Sequence, residues 1–231
     1  MIIRSRPTGT TLDPFGGSSG RGIASILRQG SAKTSFVYYA GGSRLLRHDP
    51  SGTTFCLGGQ EIHADPAGQT ATTTRYYSHS GGTVAVRTAG KLTWLASDHQ
   101  GANQIAVNST DLSVTQRRQD PFGTPRGQAV DLPGERGFVG GTEDSSTGLT
   151  QLGARAYDSA AGRFLSLDPV FDPANRQQIN GYSYSSNSPI FKSDPTGLNE
   201  YNDVGRCIGA PRLRHRPDGP GRERHQWPLH T

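Results

Sequence analysis

From Ser35 onward the chain alternates short runs of apolar and β-branched residues with glycine-centred breaks. The runs are SFVYYA (35–40), SRLLRHD (43–49), TTFCLGG (53–59), QEIHAD (60–65), QTATTTRYYS (69–78), TVAVRT (83–88), KLTWLAS (91–97), NQIAVN (103–108) and LSVTQRRQ (112–119). They are enriched in Thr, Val, Tyr and Trp, residues that fit a pleated, half-buried surface. A period of two is clearest at Val84 and Val86 and at Leu92 and Trp94, and it places alternate side chains on opposite faces of a strand. The breaks include Gly41-Gly42, Gly81-Gly82, Ala89-Gly90 and Ser109-Thr110-Asp111. Connections this short join neighbours as hairpins. The pattern predicts a mainly β chain built as an antiparallel hairpin meander.

Outside that body the pattern weakens. Residues 1–33 are rich in Gly, Ser, Thr and Arg, and Ile23, Ile26 and Leu27 have the spacing of a single helical turn, so the segment reads as otherwise irregular. Residues 126–150 are Gly-rich and read as a surface loop. Beyond Leu198 neither a period of 2 nor of 3.6 is sustained and large apolar residues are few, so 199–231 reads as a disordered, variable tail. The expected division is 1–33, 34–198 with a dense motif block at 153–198, and 199–231.

One punctuation mark recurs. Asp-Pro-x-Gly stands at 13–16, 49–52, 65–68, 120–123 and 194–197. It is turn chemistry: the Asp side chain caps, Pro presets φ, and Gly closes the turn without a Cβ clash. Its irregular spacing fits a degenerate β-repeat array and not a solenoid of identical units.

Composition narrows the function classes. Only 32% of the 231 residues are apolar, with 31 Gly and 15 Pro, and the mean hydropathy is −0.61, so the core is thin for the length. The net charge of +5 lies in the ends and leaves 34–198 near neutral. That distribution argues against nucleic-acid binding by the body, which would concentrate positive charge on a folded face. No apolar run approaches the roughly 20 residues of a membrane helix, and the N-terminus lacks the apolar stretch of a signal peptide. Cys56 and Cys207 are too few for a disulfide framework. His48, His63, His79 and His99 have no metal-ligand spacing, and no phosphate loop, zinc motif or Ser-His-Asp signature is present, so no metal or cofactor is expected.

GARAYDSAAGRFLSLDP (153–169), NGYSYSSNSP (180–189) and the PxxxxDPxGL pattern from Pro189 through Pro195 and Gly197 to Leu198 together resemble the end of the Rhs (YD-repeat) core. That core is the C-terminal part of the shell in polymorphic toxins and related insecticidal C subunits. SDHQG (97–101), DPFGTPRG (120–127) and GERGFVGG (134–141) are similar to the same core. The resemblance implies a partial β-shell and a secreted or cell-envelope setting in bacteria, with the chain's own tail as cargo or substrate and other shell segments as partners. It also implies single-turnover aspartyl self-cleavage between Leu198 and Asn199, carried by Asp194, Asp168 and Arg155.

The residue types suit that chemistry. Two carboxylates held close cannot both ionise, so one donates a proton while the other activates water. An arginine holds one of them ionised or polarises the carbonyl. The residues alone allow other readings. Asp194 caps a turn as Asp49 and Asp65 do, Asp168 and Asp172 precede Pro, and Arg155 pairs an acid structurally. The chain would then be a non-catalytic module that packs on another shell chain or binds glycans through Tyr and Trp. A third reading makes the tail a truncated toxin, with His215, His225 and His230 as a nuclease remnant.

Overall fold

The computed structural model describes residues 2–5, 23–27, 33–39, 43–80, 82–169, 180–202 and 207–208. Eleven strands form one sheet in chain order. They are β1 (Ile2–Ser5), β2 (Ile23–Leu27), β3 (Thr34–Tyr38), β4 (Arg44–Asp49), β5 (Gly52–Leu57), β6 (Gln60–Ala64), β7 (Ala71–His79), β8 (Gly82–Thr88), β9 (Lys91–Ser97), β10 (Asn103–Asn108) and β11 (Val114–Gln116). Every neighbouring pair is antiparallel, as the short connections require. The chain is therefore mainly antiparallel β, and no α-helix occurs among the described residues.

Two small sheets follow. β12 (Thr142–Asp144), β13 (Leu149–Leu152), β14 (Arg155–Asp158) and β15 (Arg163–Phe164) form one; β16 (Lys192–Ser193), β17 (Glu200–Asn202) and β18 (Cys207–Ile208) form the other. The first of them, with the segment before it, caps one face of the large sheet.

Register decides which face. Phe36, Arg47, Thr54 and His63 are successive cross-strand partners on the covered face, and Tyr76, Val86 and Thr93 continue it. Tyr76, Val86, Leu95 and Ala106 pack with Leu132 of the cap. Ile26 and Phe36 pack with Leu149 and Ala156. The largest cluster is aromatic: Phe138, Tyr157, Phe164 and Tyr184 pack with Leu152, and Ala102 joins it from the connection just before β10. The opposite face carries Val37 and Phe55 and, further along, Tyr77 and Trp94, all exposed.

The covered face is also charged. Arg47 of β4 donates to both Glu135 carboxylate oxygens, at 2.8 and 2.7 Å, and to Asp49. Arg44 lies 3.5 Å from the fully buried Asp144, and Arg117 lies 2.6 Å from Glu143. Buried charges are tolerated when paired and hydrogen-bonded, so sheet and cap supply each other's counter-ions.

Three expectations change. Ile23, Ile26 and Leu27 are strand and not a helical turn: pairing with β1 and β3 leaves Ile26 only 2% exposed. Their spacing fits either structure, and the neighbouring strands decide it. Residues 126–150 are not a surface loop, because Leu132, Phe138, Val139 and Leu149 are buried between sheet and cap. Glycine there serves close packing; a Cβ on Gly141 would lie 2.5 Å from Leu152 Cδ2. The tail opens with two short strands, β17 and β18. The disorder expected for the rest of both ends falls outside the described residues.

Candidate functional site

The Asp194-Pro195-Thr196-Gly197 turn docks backbone to backbone against Gly153-Ala154-Arg155. Ala154 N–H donates to the Thr196 carbonyl at 2.9 Å. Gly153 has φ +48, and a Cβ there would lie 2.1 Å from the Thr196 oxygen; one on Gly197, φ +65, would lie 2.4 Å from the Leu152 oxygen. Only glycine accepts both the left-handed backbone and the contact. The two glycines bring residues about forty positions apart into one site.

Arg155 opens β14 and lies buried over the Phe164 ring, its guanidinium carbon 3.7 Å from the ring centre. Each of its nitrogens has a partner. Nε donates to the Gly197 carbonyl and Nη1 to the Gly181 carbonyl at 3.2 Å. Nη2 lies 3.0 Å from Asp194 Oδ2 and 3.0 Å from Asp168 Oδ2. One nitrogen thus holds both carboxylates, within twice that distance of each other. Asp168 is fixed by its own N–H donating to the Gly181 carbonyl at 2.9 Å.

The two acids differ in setting. The Asp168 side chain is 22% exposed and that of Asp194 3%. Burial pushes the Asp194 carboxyl above its ordinary range, outweighing Arg155 and the donors on its other oxygen. Those donors are the Thr196 hydroxyl, at 3.2 Å, and the N–H groups of Leu198, at 3.1 Å, and Asn199, at 3.2 Å, all on Oδ1. Asp194 therefore touches the nitrogen of the Leu198–Asn199 peptide bond. A cavity of about 20 Å³, lined by Arg155, Asp168, Asn180, Asp194, Leu198 and Glu200, opens beside it. Such a space holds about one water.

Pro189 and Pro195 shape the segment leading into this turn. The Gln100 side chain donates to the Pro189 carbonyl and, at 3.4 Å, to the Lys192 carbonyl. Gln100 is in turn held in place because Asp98 Oδ1 accepts its N–H at 2.9 Å and that of Ala102 at 3.0 Å. SDHQG is thus a bracket that ties the large sheet to the PxxxxDPxGL segment. Sequence reasoning assigned no role to Gln100, although its motif was visible. It also missed Phe164 under the guanidinium, as well as Ser186, Lys192 and Glu200. The only sequence signal for that last pair was two opposite charges eight residues apart.

Cys56 offers no rival chemistry, because burial pushes its thiol up to about 11, away from the range of a reactive thiolate. The histidines have local roles: His48 and His63 hydrogen-bond Thr53 and Thr54. Among the described residues no group of three His, Cys, Asp or Glu side chains could hold a metal ion. Among the same residues no helix is long and apolar enough to cross a membrane.

Comparison with known proteins places this geometry in context. The tRNA nuclease WapA of Bacillus subtilis (strain 168) is 37% identical over 100 residues, 40% of this chain and 4% of that protein. Salivary gland surface protein 1 of Aedes aegypti is 28% identical over 120 residues, 49% of this chain and 3% of that protein. The chain thus spans only a few per cent of the curated relatives it matches. Among solved structures, the TcdB2-TccC3-Cdc42 crystal structure superposes with a TM-score of 0.64 at 18% identity, over 79% of this chain and 10% of that one. The Photorhabdus luminescens Tc holotoxin pore gives a TM-score of 0.60 at 19% identity, over 75% of this chain and 9% of that one. These structures share the β-shell fold. The teneurin YD-shell model matches residues 65–190, more than half of the chain, and by that match the protein belongs to the YD-shell family.

Proposed function

We propose that residues 34–198 are the closing, Rhs-core part of a YD β-shell and that Arg155, Asp168 and Asp194 form an intramolecular aspartyl centre cutting Leu198–Asn199. The observation that carries this reading is the shared nitrogen. Arg155 Nη2 holds both carboxylates at 3.0 Å while the other oxygen of Asp194 accepts the Asn199 N–H.

The roles follow from the settings. Asp168, the more exposed acid, is paired with Arg155 and takes a proton from a water in the adjoining cavity. The water oxygen attacks the Leu198 carbonyl carbon. Asp194, whose proton affinity burial raises, gives a proton to the Asn199 nitrogen as the C–N bond breaks. The oxygen–nitrogen pair already in contact exchanges donor and acceptor roles once that nitrogen becomes pyramidal. The products are a Leu198 carboxyl and an Asn199 amine. The nucleophile, acid and bond belong to one chain, so proximity supplies much of the rate and each molecule reacts once.

Residues from 199 onward are then the released segment. Three of the chain's curated relatives carry tRNA nuclease names, which supports reading that segment as the start of a toxin-like cargo.

Intact-mass measurement of the purified chain tests the proposal. Fragments 1–198 and 199–231 are expected from the wild type, an Asn199 N-terminus on the second, and an intact Asp194→Asn chain. If the wild type stays whole from pH 4 to 9 while Asp168→Asn and Asp194→Asn only lower stability, the three residues are structural and the chain is a non-catalytic shell module.

A further inference from the structure

Beyond the bond at 198–199, the chain does not simply leave the site. Glu200 Oε1 accepts the Ser186 hydroxyl at 2.6 Å, and Oε2 lies 3.1 Å from Lys192 Nζ. Both charged side chains are largely shielded, at 20% and 13% exposure for Lys192 and Glu200. Glu200 also lines the small cavity beside Asp168 and Asp194. The backbone reinforces the arrangement: β17 pairs with β16 through Lys192 opposite Asn202 and Ser193 opposite Tyr201.

Ser186 is held at a conformational cost. Ser185, Ser186 and Asn187 have φ of +50, +49 and +57, three consecutive non-glycine residues in the left-handed region. Such runs persist only where surrounding contacts fix them, and they concentrate at functional positions. Here Asn187 N–H donates to the Tyr184 carbonyl and Ser188 N–H to the Ser185 carbonyl, at 2.9 and 2.8 Å, and Tyr184 is fully buried. The strained turn presents the Ser186 hydroxyl to Glu200.

We propose that Ser186 and Lys192 form a clamp for the residue two places after the cleaved bond, and that an acidic residue there is a specificity requirement of the cleavage. The inference rests on the reading of Leu198–Asn199 as that bond. Asp194 holds the chain at Leu198 and Asn199; the clamp holds it again at Glu200, on the other side of the reacting amide. Fixing both sides keeps Leu198 at the cavity and the Asn199 nitrogen on Asp194, which is where positioning lowers a barrier. Ser186, Lys192 and Glu200 act in this clamp as positioning residues, through the chain that carries the bond.

The experiment is a pulse-chase of the full chain in cell-free translation, following loss of the intact species by mass. Against the wild type, Glu200→Gln is expected to slow cleavage about tenfold and Glu200→Lys about a hundredfold. The double variant Lys192→Glu/Glu200→Lys is expected to recover to within about threefold of the wild type, a rescue that simple loss of packing does not give. Wild-type cleavage with Glu200→Lys at the same rate overturns the clamp and leaves the cleavage centre standing. Slow cleavage in Glu200→Lys without recovery in the double variant also overturns it. No cleavage of the wild type removes both.

Discussion

Two turns in this molecule have the same sequence pattern and nearly the same local bonds, yet opposite acid chemistry. In Asp65-Pro66-Ala67-Gly68, Gly68 N–H donates to the Asp65 carbonyl at 3.0 Å, and the carboxylate accepts the N–H groups of Gln69 and Thr70 at 2.9 and 3.0 Å. In Asp194-Pro195-Thr196-Gly197 the Gly197 bond is 3.4 Å, and the carboxylate accepts the N–H groups four and five residues on, as before. The glycines sit at φ +69 and +65. What differs is the surroundings. Asp65 stands in water, and its Thr70 and Gln69 donors hold its carboxyl below the usual range. Asp194 is buried under Arg155, and desolvation raises it. The turn motif sets geometry; burial assigns proton affinity.

The sharpest way to break this contrast is to remove the buried partner. Arg155→Ala leaves Asp194 buried without its cation and should cost about 3–5 kcal/mol, read as a lower denaturant midpoint, and should abolish any cleavage. Gly153→Ala comes next. Its Cβ would collide with the Thr196 carbonyl, so about 2–4 kcal/mol should be lost as the turn undocks. Gly68→Ala meets no atom within 4 Å and should cost only about 1 kcal/mol, for its positive φ.

The pH dependence separates the turns by sign. Asp194 binds its proton more tightly folded than unfolded, so its contribution to stability is full below the ordinary value of 3.8 and declines as pH rises above it. Asp65 binds its proton less tightly folded, so its contribution is full above 3.8 and is lost on acidification. Denaturation midpoints measured every half pH unit should therefore show Asp194→Asn converging on or overtaking the wild type as pH rises. The gap between the wild type and Asp65→Asn should shrink as pH falls. The smallest effect is Asp65→Asn itself at neutral pH, a denaturation midpoint close to that of the wild type, because Asn supports the same turn.

The sequence was legible where local rules decide structure. Strands β3 to β10 follow the runs marked by alternation and glycine breaks, because side-chain period and turn chemistry are both local. It was least legible where distant packing decides. Residues 126–150 have no period, yet Phe138 stacks on Tyr157 at 5.4 Å, inside a cluster drawn from four segments. Ile23–Leu27 fits helix or strand until β1 and β3 are beside it. At the candidate site the turn could be read directly. The meeting of Arg155 with Asp168 and Asp194 came through family resemblance, and neither spacing nor composition encodes it. Glu200 went unread because its value lies in two partners supplied by a strained turn and a neighbouring strand.

The ion pairs across the covered face carry a consequence for how the chain is made. Arg47 and Glu135 are separated by 88 residues. A ribosome adding about 5–20 residues per second finishes β4 on the order of 5–20 s before Glu135 exists. For that interval the guanidinium has Asp49 and Thr54 but lacks its main counter-ion, and the sheet's apolar partners Leu132 and Leu149 are likewise unborn. The nascent hairpins are therefore an open surface awaiting their lid, and a pause in synthesis between Gln116 and Leu132 would lengthen the exposure. Synonymous codon changes in that window, which alter no residue, should change the yield of folded protein.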